Sequence, residues 1–297
     1  MTGAKSDSEG MTMSQPPFLA KRDGHTHSEF CPHGSHESTE LFIHRAIELG
    51  FEIYSLTEHL PLPAHFEDPT PDKSTAMPIQ DLEPYLNLAK GLSDRFSDRI
   101  VVKVGLEVDF IPGFEEETRQ LLNQAGPELK DSLLSIHFLP GKGGWRLIDY
   151  SAEDLKDGLI DFYGSMEAVH EAYWLTVQQA IEADLGPFKP RRISHLSLVH
   201  KFQKKFPLQD PKRFLPKVCE ILDRIQAKGM ELDLNAAGLF KPDCQEIYPP
   251  SWILREAIQR KIPLVYGSDA HSVQGVGQGF EVVERLVQSL LSPPTHS

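Results

Sequence analysis

Short apolar runs alternate with longer amphipathic stretches along most of this chain. The short runs are bounded by polar or turn-forming residues and predict seven β-strands. They occupy residues 19–25, 52–57, 100–108, 133–138, 192–196, 231–234 and 263–267. The longer stretches place apolar residues at helical spacing and predict seven helices. They occupy residues 38–49, 79–96, 114–124, 165–183, 211–228, 251–260 and 280–291. The alternation predicts an α/β fold, an irregular seven-stranded (β/α)7 TIM-like barrel of parallel strands.

Two stretches interrupt this alternation. Residues 60–78 are rich in proline and acidic residues and are predicted to form a loop. Residues 141–154 begin Gly-Lys-Gly-Gly-Trp and are predicted to form a long loop beside the active site. No repeat or internal linker divides the chain, so residues 18–297 are predicted to form a single barrel domain. The polar residues 1–17 are predicted to be a disordered tail.

Composition narrows the class of protein. The chain of 297 residues is 40% hydrophobic and 25% charged, which is typical of a soluble globular protein. No run approaches the roughly 20 apolar residues that cross a membrane. Three widely spaced cysteines do not indicate a disulfide framework, which favours a cytoplasmic setting. The formal net charge of −13 argues against nonspecific binding to nucleic acid.

Side chains that can bind metal ions stand where the predicted strands end. The residues at or just past a strand end are His25, Glu107, His137, His195 and Asp269, and His59 follows its strand by two residues. In a parallel barrel the C-terminal strand ends form the face that carries the chemistry, so these side chains can converge. His25 and His27 lie two residues apart on an extended segment and point to the same side.

Each of these residues has an ordinary explanation when it is taken alone. A single histidine is usually a hydrogen-bonded core residue, and a strand-end glutamate usually forms a salt bridge. Their coincidence at five strand ends instead favours a metal centre, because imidazole and carboxylate bind zinc, manganese or iron. Clusters of such ions hydrolyse phosphate esters. Cys31, which lies between His27 and His33, is a further candidate ligand for a soft metal.

Several segments carry a resemblance to a known family. They are DGHTHS at 23–28, CPHG at 31–34, LTEH at 56–59, GLEVDFIPG at 105–113, SIHFL at 135–139, NAAGL at 235–239, EIYP at 246–249 and GSDAH at 267–271. With these segments, residues 21–283 resemble the PHP (polymerase and histidinol phosphatase) superfamily of metal-dependent phosphoesterases. Within it, the chain is similar to the histidinol-phosphatase branch of histidine biosynthesis.

The resemblance implies three divalent metal ions held by nine residues. The implied ligands are His25, His27, Glu107 and Asp269 for the first ion, Glu107, His137 and His195 for the second, and His33, His59 and His271 for the third. Glu107 would bridge two ions, and the implied catalytic residues are Glu107, His25, His27 and Asp269. Asp23 or Glu58 would orient an imidazole from outside the ligand set. Whether the ions are zinc, manganese or iron stays open.

The implied reaction is hydrolysis of L-histidinol phosphate to L-histidinol and phosphate. Arg192, His200, Lys201 and Lys241 are candidates for binding the phosphate, and a role as surface charges is the alternative for each. The nearest alternative function is a PHP phosphoesterase acting on a nucleotide or another small phosphate ester. An amidohydrolase, which usually bridges its metals with a lysine, and a metal-storage protein are the others. The partner is expected to be a small phosphate ester, with neither nucleic acid nor membrane, and the oligomeric state stays open.

Overall fold

Seven parallel strands form the main sheet. A computed structural model of the chain describes residues 21–292, so the predicted tail at 1–17 lies outside the described residues. The sheet has the order β1-β2-β3-β4-β7-β8-β9. Its strands are β1 (Arg22–Asp23), β2 (Ile53–His59), β3 (Val101–Asp109), β4 (Leu133–Ser135), β7 (Arg192–Ile193), β8 (Glu231–Asn235) and β9 (Leu264–Gly267). Every neighbouring pair in this order is parallel.

Backbone hydrogen bonds bring the first strand next to the last. The Gly24 amide donates to the Tyr266 carbonyl at 2.8 Å, and the Asp269 amide donates to the His25 carbonyl at 2.8 Å. An isolated parallel bridge continues the pairing between Thr26 and Ala270. The predicted irregular seven-stranded TIM-like barrel is therefore confirmed, and both ends of the strand order meet at the segment that carries His25 and Asp269.

Helices surround the strands, and the longer ones bury one face each. They are α1 (Thr39–Glu48), α2 (Leu82–Arg95), α3 (Glu115–Ala125), α4 (Ala152–Asp154), α5 (Asp161–Tyr163), α6 (Met166–Glu182), α7 (Leu215–Ala227), α8 (Ser251–Gln259) and α9 (Phe280–Leu291). In α2 the buried residues Leu82, Tyr85, Ala89 and Leu92 recur at helical spacing and face the strands. The Tyr85 hydroxyl lies 2.7 Å from the Gly105 carbonyl oxygen, which fixes α2 against β3. Within residues 21–292, no helix combines the length and the apolar character needed to cross a bilayer.

The stretch at 141–154 was predicted wrongly as one long loop. Its first part belongs to an antiparallel hairpin of β5 (Phe138–Gly141) and β6 (Gly144–Leu147). Gly143 and Gly144 have φ values of 79° and 133°, which only glycine adopts readily, so they make the tight turn. After β6 the chain enters α4, which continues through a π-helical turn (Leu155–Ile160) into α5. Gly143 and Gly144 therefore indicate a hairpin turn, whereas the sequence prediction interpreted them as part of a long loop.

Three predicted strands are shorter in the structure. β1 and β7 contain two residues each and β4 contains three, so His25, His137 and His195 lie on the segments just beyond the sheet. At these places the chain stops pairing with the neighbouring strands and bends over the end of the barrel. The three imidazoles therefore lie at the C-terminal face.

Candidate metal centre

The nine predicted ligands all lie at the C-terminal end of the barrel. Seven of them line one cavity of about 510 Å³, and His25 and His27 are buried beside it. His59 is the last residue of β2, and Glu107 lies two residues before the end of β3. The parallel register places His59 directly beside Glu107. Strand pairing alone therefore brings residues 48 positions apart in sequence into one site.

Glu107 occupies the middle of the site. Its Oε2 lies 3.2 Å from His25 Nε2 and 3.4 Å from His59 Nδ1. Its Oε1 lies 2.9 Å from His195 Nε2 and accepts a hydrogen bond of 2.6 Å from the Ser135 hydroxyl. The two oxygens of one carboxylate thus face different groups of imidazoles. This geometry is what a ligand that bridges two ions requires.

The donor atoms fall into three clusters, in each of which all ligand atoms lie within 4.8 Å of one another. The first cluster is His25, His27 and Asp269, the second is Glu107, His137 and His195, and the third is His27, Cys31, His59 and His271. His33 adjoins the third cluster, since its Nε2 lies 3.1 Å from His271 Nε2. The number of clusters equals the number of ions that the family resemblance implies.

Several imidazole nitrogens in these clusters lack a suitable hydrogen-bond partner and could bind a divalent metal ion. His137 Nε2 and His195 Nε2 face each other at 3.1 Å, and at most one of the two can donate a proton to the other. His59 is only 6% exposed, yet neither of its ring nitrogens has a hydrogen-bond partner within the described residues. A buried imidazole without partners is costly. A cation among these lone pairs would satisfy them, and imidazole and carboxylate are suitable donors for zinc, iron or manganese.

Carboxylates outside the clusters orient three of the imidazoles. Each accepts from Nδ1, which leaves the Nε2 lone pair directed at the centre. The pairs are His25 with Asp233 at 2.8 Å, His137 with Asp109 at 2.6 Å and His27 with Glu58 at 3.2 Å. Glu58 was predicted as one possible support. The prediction missed Asp233 and Asp109. Both gave a signal in the sequence: Asp233 is an acid within the apolar run of β8, and Asp109 follows Glu107 by two residues on the same face of β3.

Asp23, the other predicted support, has a different role. Its Oδ1 accepts from the Ser268 amide at 2.9 Å and its Oδ2 from the Gly277 amide at 3.3 Å. Burial raises the pKa of Asp23 to about 6 despite these bonds. No hydrogen bond joins Asp23 to an imidazole in the part of the chain that the structure describes, so that prediction was wrong. Asp23 holds the backbone that follows β9, and the predicted ligand Asp269 lies on this segment.

Local geometry after β9 explains the sequence Gly-Ser-Asp-Ala-His. A Cβ at Gly267 would lie 2.4 Å from Asp233 Oδ1 and 2.6 Å from His25 Cβ, so only glycine lets this pair pack together. Asp269 has a φ of 55°, in the left-handed region that aspartate tolerates better than most residues. That conformation turns its carboxylate to within 3.2 Å of His27 Nε2.

The electrostatics of the cluster depend on protons as long as no ion is bound. Burial would raise the pKa of Glu107, but His25 and His59 hold it well below its usual range. Burial would lower the pKa of His25, but Glu107 and Asp269 raise it well above its usual range. The acids are thus ionised and some of the imidazoles carry protons. Bound divalent ions would displace those protons and supply the positive charge in their place.

Two of the four predicted phosphate-binding residues line the cavity. They are Lys201 and Lys241. Lys201 Nζ contacts Asp149, lying 2.5 Å from its carbonyl oxygen and 3.2 Å from its Oδ2. Lys241 is exposed at the cavity wall. Both amines are therefore placed where an anionic group could enter.

The structure places Arg192 and His200 away from the cavity, so their prediction was wrong. Arg192 begins β7 and lies at the opposite, N-terminal end of the barrel, where its Nη2 donates to the Gly24 carbonyl and pairs with Asp131 at 3.1 Å. His200 is buried against His170 of α6, with ring centroids 5.0 Å apart. Burial lowers the pKa of His200 to about 4, so the ring is neutral. Neither side chain can meet a phosphate in this cavity.

The barrel and its donor clusters define a metal-binding α/β-barrel protein. The family model described as PHP domain matches residues 23–237, which is more than half of the chain. The chain belongs to the PHP domain family.

Relatives place it on the histidinol-phosphatase branch of that family. It is 43% identical over 263 residues to the histidinol-phosphatase of Bacillus subtilis, and the match covers 89% of this chain and 98% of that protein. A crystal structure from Listeria monocytogenes, provisionally assigned as a histidinol phosphatase, is 45% identical with a TM-score of 0.85, covering 88% of this chain and 99% of the other. The histidinol phosphate phosphatase of Lactococcus lactis, solved with zinc, L-histidinol and phosphate, is 20% identical with a TM-score of 0.67, covering 90% of this chain and 94% of the other. The last likeness shows the shared fold.

Proposed function

We propose that this protein is a metal-dependent phosphomonoesterase that hydrolyses L-histidinol phosphate to L-histidinol and phosphate in histidine biosynthesis. One observation carries the proposal: a chain 43% identical to a histidinol-phosphatase, over nearly the whole of both proteins, brings nine metal-type side chains together, seven lining one cavity and two buried beside it. The structure of the Lactococcus protein with zinc, L-histidinol and phosphate supports the same substrate class.

The proposed cofactors are three divalent ions, with zinc, manganese or iron as the candidates. His25, His27, Glu107 and Asp269 would hold the first, Glu107, His137 and His195 the second, and His33, His59 and His271 the third. Bound ions would supply Lewis acidity and lower the pKa of a water. The donor clusters support this division: one equals the proposed second set, one contains three of the four first ligands, and one contains His59 and His271 with His33 adjoining it. The zinc named for the Lactococcus protein supports it as well.

The protein's own residues would position the reactants. Glu107, His25, His27 and Asp269 converge on the floor of the cavity, and Lys201 and Lys241 add positive charge along its wall. A water oxygen would attack phosphorus in line, the bond from phosphorus to the substrate's ester oxygen would break, and that oxygen would take a proton. The charge on the phosphoryl oxygens has to be neutralised throughout, which is the role we assign to the lysines and the metal centre.

The remaining features of the proposal concern the setting of the enzyme. We assign it to the cytoplasm, supported by three cysteines that are all free of disulfides. We expect no nucleic-acid partner, because the chain carries a formal net charge of −13. Residues 18–297 would form one domain, supported within the described residues by one large core cluster that extends from α1 to α9.

A comparison of substrates tests the proposed function. We expect kcat/KM for L-histidinol phosphate to exceed that for a nucleoside monophosphate by at least about 100-fold, because a site built for an amine-bearing substrate leaves polar groups unpaired when that substrate is replaced. Phosphate release would be measured for both under the same metal loading. Equal or faster turnover of the nucleotide would favour the alternative PHP phosphoesterase.

Asp149 is the side chain best placed to select the amine of the substrate. It lines the cavity, and its Oδ1 is buried with no hydrogen-bond partner in residues 21–292. Burial would raise its pKa, but Lys201, His137 and His195 lower it, so the carboxylate is ionised. An ionised carboxylate in the lining of the cavity, with one oxygen unpaired and the other on Lys201, suits the ammonium group of histidinol.

The Asp149→Asn substitution is expected to lower kcat/KM for L-histidinol phosphate by roughly 10- to 100-fold, mainly through KM, since a charged hydrogen bond contributes about 1.5–3 kcal/mol. Turnover of p-nitrophenyl phosphate, which has no amine, is expected to change less than about threefold by the same reasoning. Asp154→Asn is the matched control, because Asp154 pairs with Arg146 outside the cavity. Equal losses on both substrates would contradict a role in recognising the amine.

A further inference from the structure

Cys31 lies within the third cluster and is fully buried. Its Sγ lies within 4.8 Å of ring nitrogens from His27, His59 and His271. The ligand set that the family resemblance implies contains only imidazole and carboxylate. We infer that the Cys31 sulfur is a direct ligand of the ion in the third cluster and makes this position selective for zinc over manganese. The inference rests on the proposed metal centre and adds a donor of a different chemical class.

The backbone around Cys31 holds the sulfur in place. The Cys31 amide donates to the Ser28 carbonyl at 3.1 Å, and the Gly34 amide donates to the Cys31 carbonyl at 3.1 Å. The Ser35 amide donates to the His271 carbonyl at 2.8 Å, which ties this loop to the segment after β9. A Cβ at Gly34 would lie 3.1 Å from Cys31 Cβ and 3.4 Å from the His271 carbonyl oxygen. The tight turn therefore keeps the thiol against the imidazoles rather than toward solvent.

A second observation points to a ligand at the same place. His59 is buried and neither of its ring nitrogens finds a hydrogen-bond partner among the described residues. Its ring is stacked 4.4 Å from that of His27, and the His33 ring lies 5.1 Å away. A buried imidazole whose two nitrogens are both unpaired, crowded against other imidazoles, is unfavourable unless a cation lies among them. A sulfur at the edge of this group can complete the coordination of that cation.

The donor types of the three clusters differ in a way that decides metal preference. Asp269 belongs to the first cluster and Glu107 to the second, so both of these contain a hard oxygen donor. The third cluster contains imidazoles and one sulfur and lacks a carboxylate. Thiolate favours zinc, whereas carboxylate suits manganese, and zinc is commonly held in tetrahedral sites by a mixture of sulfur and nitrogen donors. Zinc should therefore persist in the third cluster when manganese fills the other two.

Cobalt substitution tests the sulfur bond directly. Protein reloaded with Co²⁺ should show a near-ultraviolet sulfur-to-cobalt charge-transfer band, which Cys31→Ser should abolish. Cys244→Ser is the matched control, because Cys244 is also buried but lies in none of the three clusters, and it should keep the band. Absence of the band in the unsubstituted protein, or its persistence in Cys31→Ser, would overturn the inference.

Metal competition tests the selectivity. With manganese in excess, the unsubstituted protein should retain about one zinc per chain. Cys31→Ser should bind that zinc roughly 10-fold more weakly, so that it needs a correspondingly higher concentration of free zinc to stay loaded. Equal zinc retention in both proteins would contradict the assignment. If Cys31→Ser does not fold, zinc X-ray absorption of the unsubstituted protein decides instead: a zinc–sulfur distance of about 2.3 Å should appear, and a shell of nitrogen and oxygen alone would refute the bond.

These measurements separate this inference from the proposed function. A charge-transfer band in a protein that does not hydrolyse L-histidinol phosphate would keep the sulfur ligand and refute the function. Rapid hydrolysis of L-histidinol phosphate by a protein without the band would support the function and refute the sulfur ligand.

Discussion

Glu107→Gln is expected to lower kcat/KM for L-histidinol phosphate by about 10³-fold or more and to reduce the bound metal. Glu107 places one oxygen among the imidazoles on one side and the other beside His195, so the amide loses both a charge and one of its two metal-binding oxygens. A loss of about 4 kcal/mol of transition-state stabilisation gives a rate effect of this size. Phosphate release and elemental analysis of the same preparation would measure the two changes.

A second glutamate provides the control for this substitution. Glu117 contacts His65 at the surface of α3 and lies outside the three clusters, so Glu117→Gln should leave metal content and turnover unchanged. A Glu107→Gln protein with normal metal content and full activity would refute the bridging role of Glu107.

Chelation of the metal is expected to abolish phosphate release and to reverse the dependence of stability on pH. In the metal-free protein, burial opposes a proton on His137, but Asp109 and Glu107 raise its pKa to about 10. Because the folded-state pKa lies above the unfolded value of about 6.5, the stabilisation is complete below pH 6.5 and is lost as the pH rises toward 10. The loss from this group alone is about 5 kcal/mol.

The metal-loaded protein should show the opposite trend. Ions bind the neutral imidazoles, so protons compete with metal and stability falls as the pH is lowered. Denaturant unfolding of chelated and reloaded protein at several pH values between 6 and 10 would measure both slopes. Parallel slopes, or activity that survives chelation, would contradict the account, and recovery of activity on adding zinc or manganese is the necessary control.

The barrel and the strand-end positions of several candidate ligands could be predicted from periodicity, whereas the full set of nine was implied by the family resemblance. Apolar runs separated by amphipathic stretches specify parallel strands, and parallel strands send their C-terminal ends to one face. Residues such as His137 and Asp269 therefore converge although they lie 132 positions apart. The number of strands in the barrel was right, but the β5–β6 hairpin was missed and several strand lengths were wrong. Chain segments that turn toward the site keep the apolar pattern of the strand before them.

The supporting residues and the substrate pocket could not be predicted in the same way. Asp233 interrupts the apolar run of β8, but the sequence does not say which imidazole it supports until the fold brings it to His25. Arg192 and His200 were misplaced because proximity in sequence to His195 does not say which end of a two-residue strand, or which face of the next turn, a side chain occupies. Side-chain direction at such places depends on packing against distant elements, as with His200 and α6.

The most direct measurement is the number of divalent ions bound to fully active protein. One ion for each of the three donor clusters is the result that the account predicts, together with loss of metal from Glu107→Gln. Full hydrolysis of L-histidinol phosphate by protein that holds less than one divalent ion per chain would contradict the claim that strand-end imidazoles and acids build a catalytic metal centre.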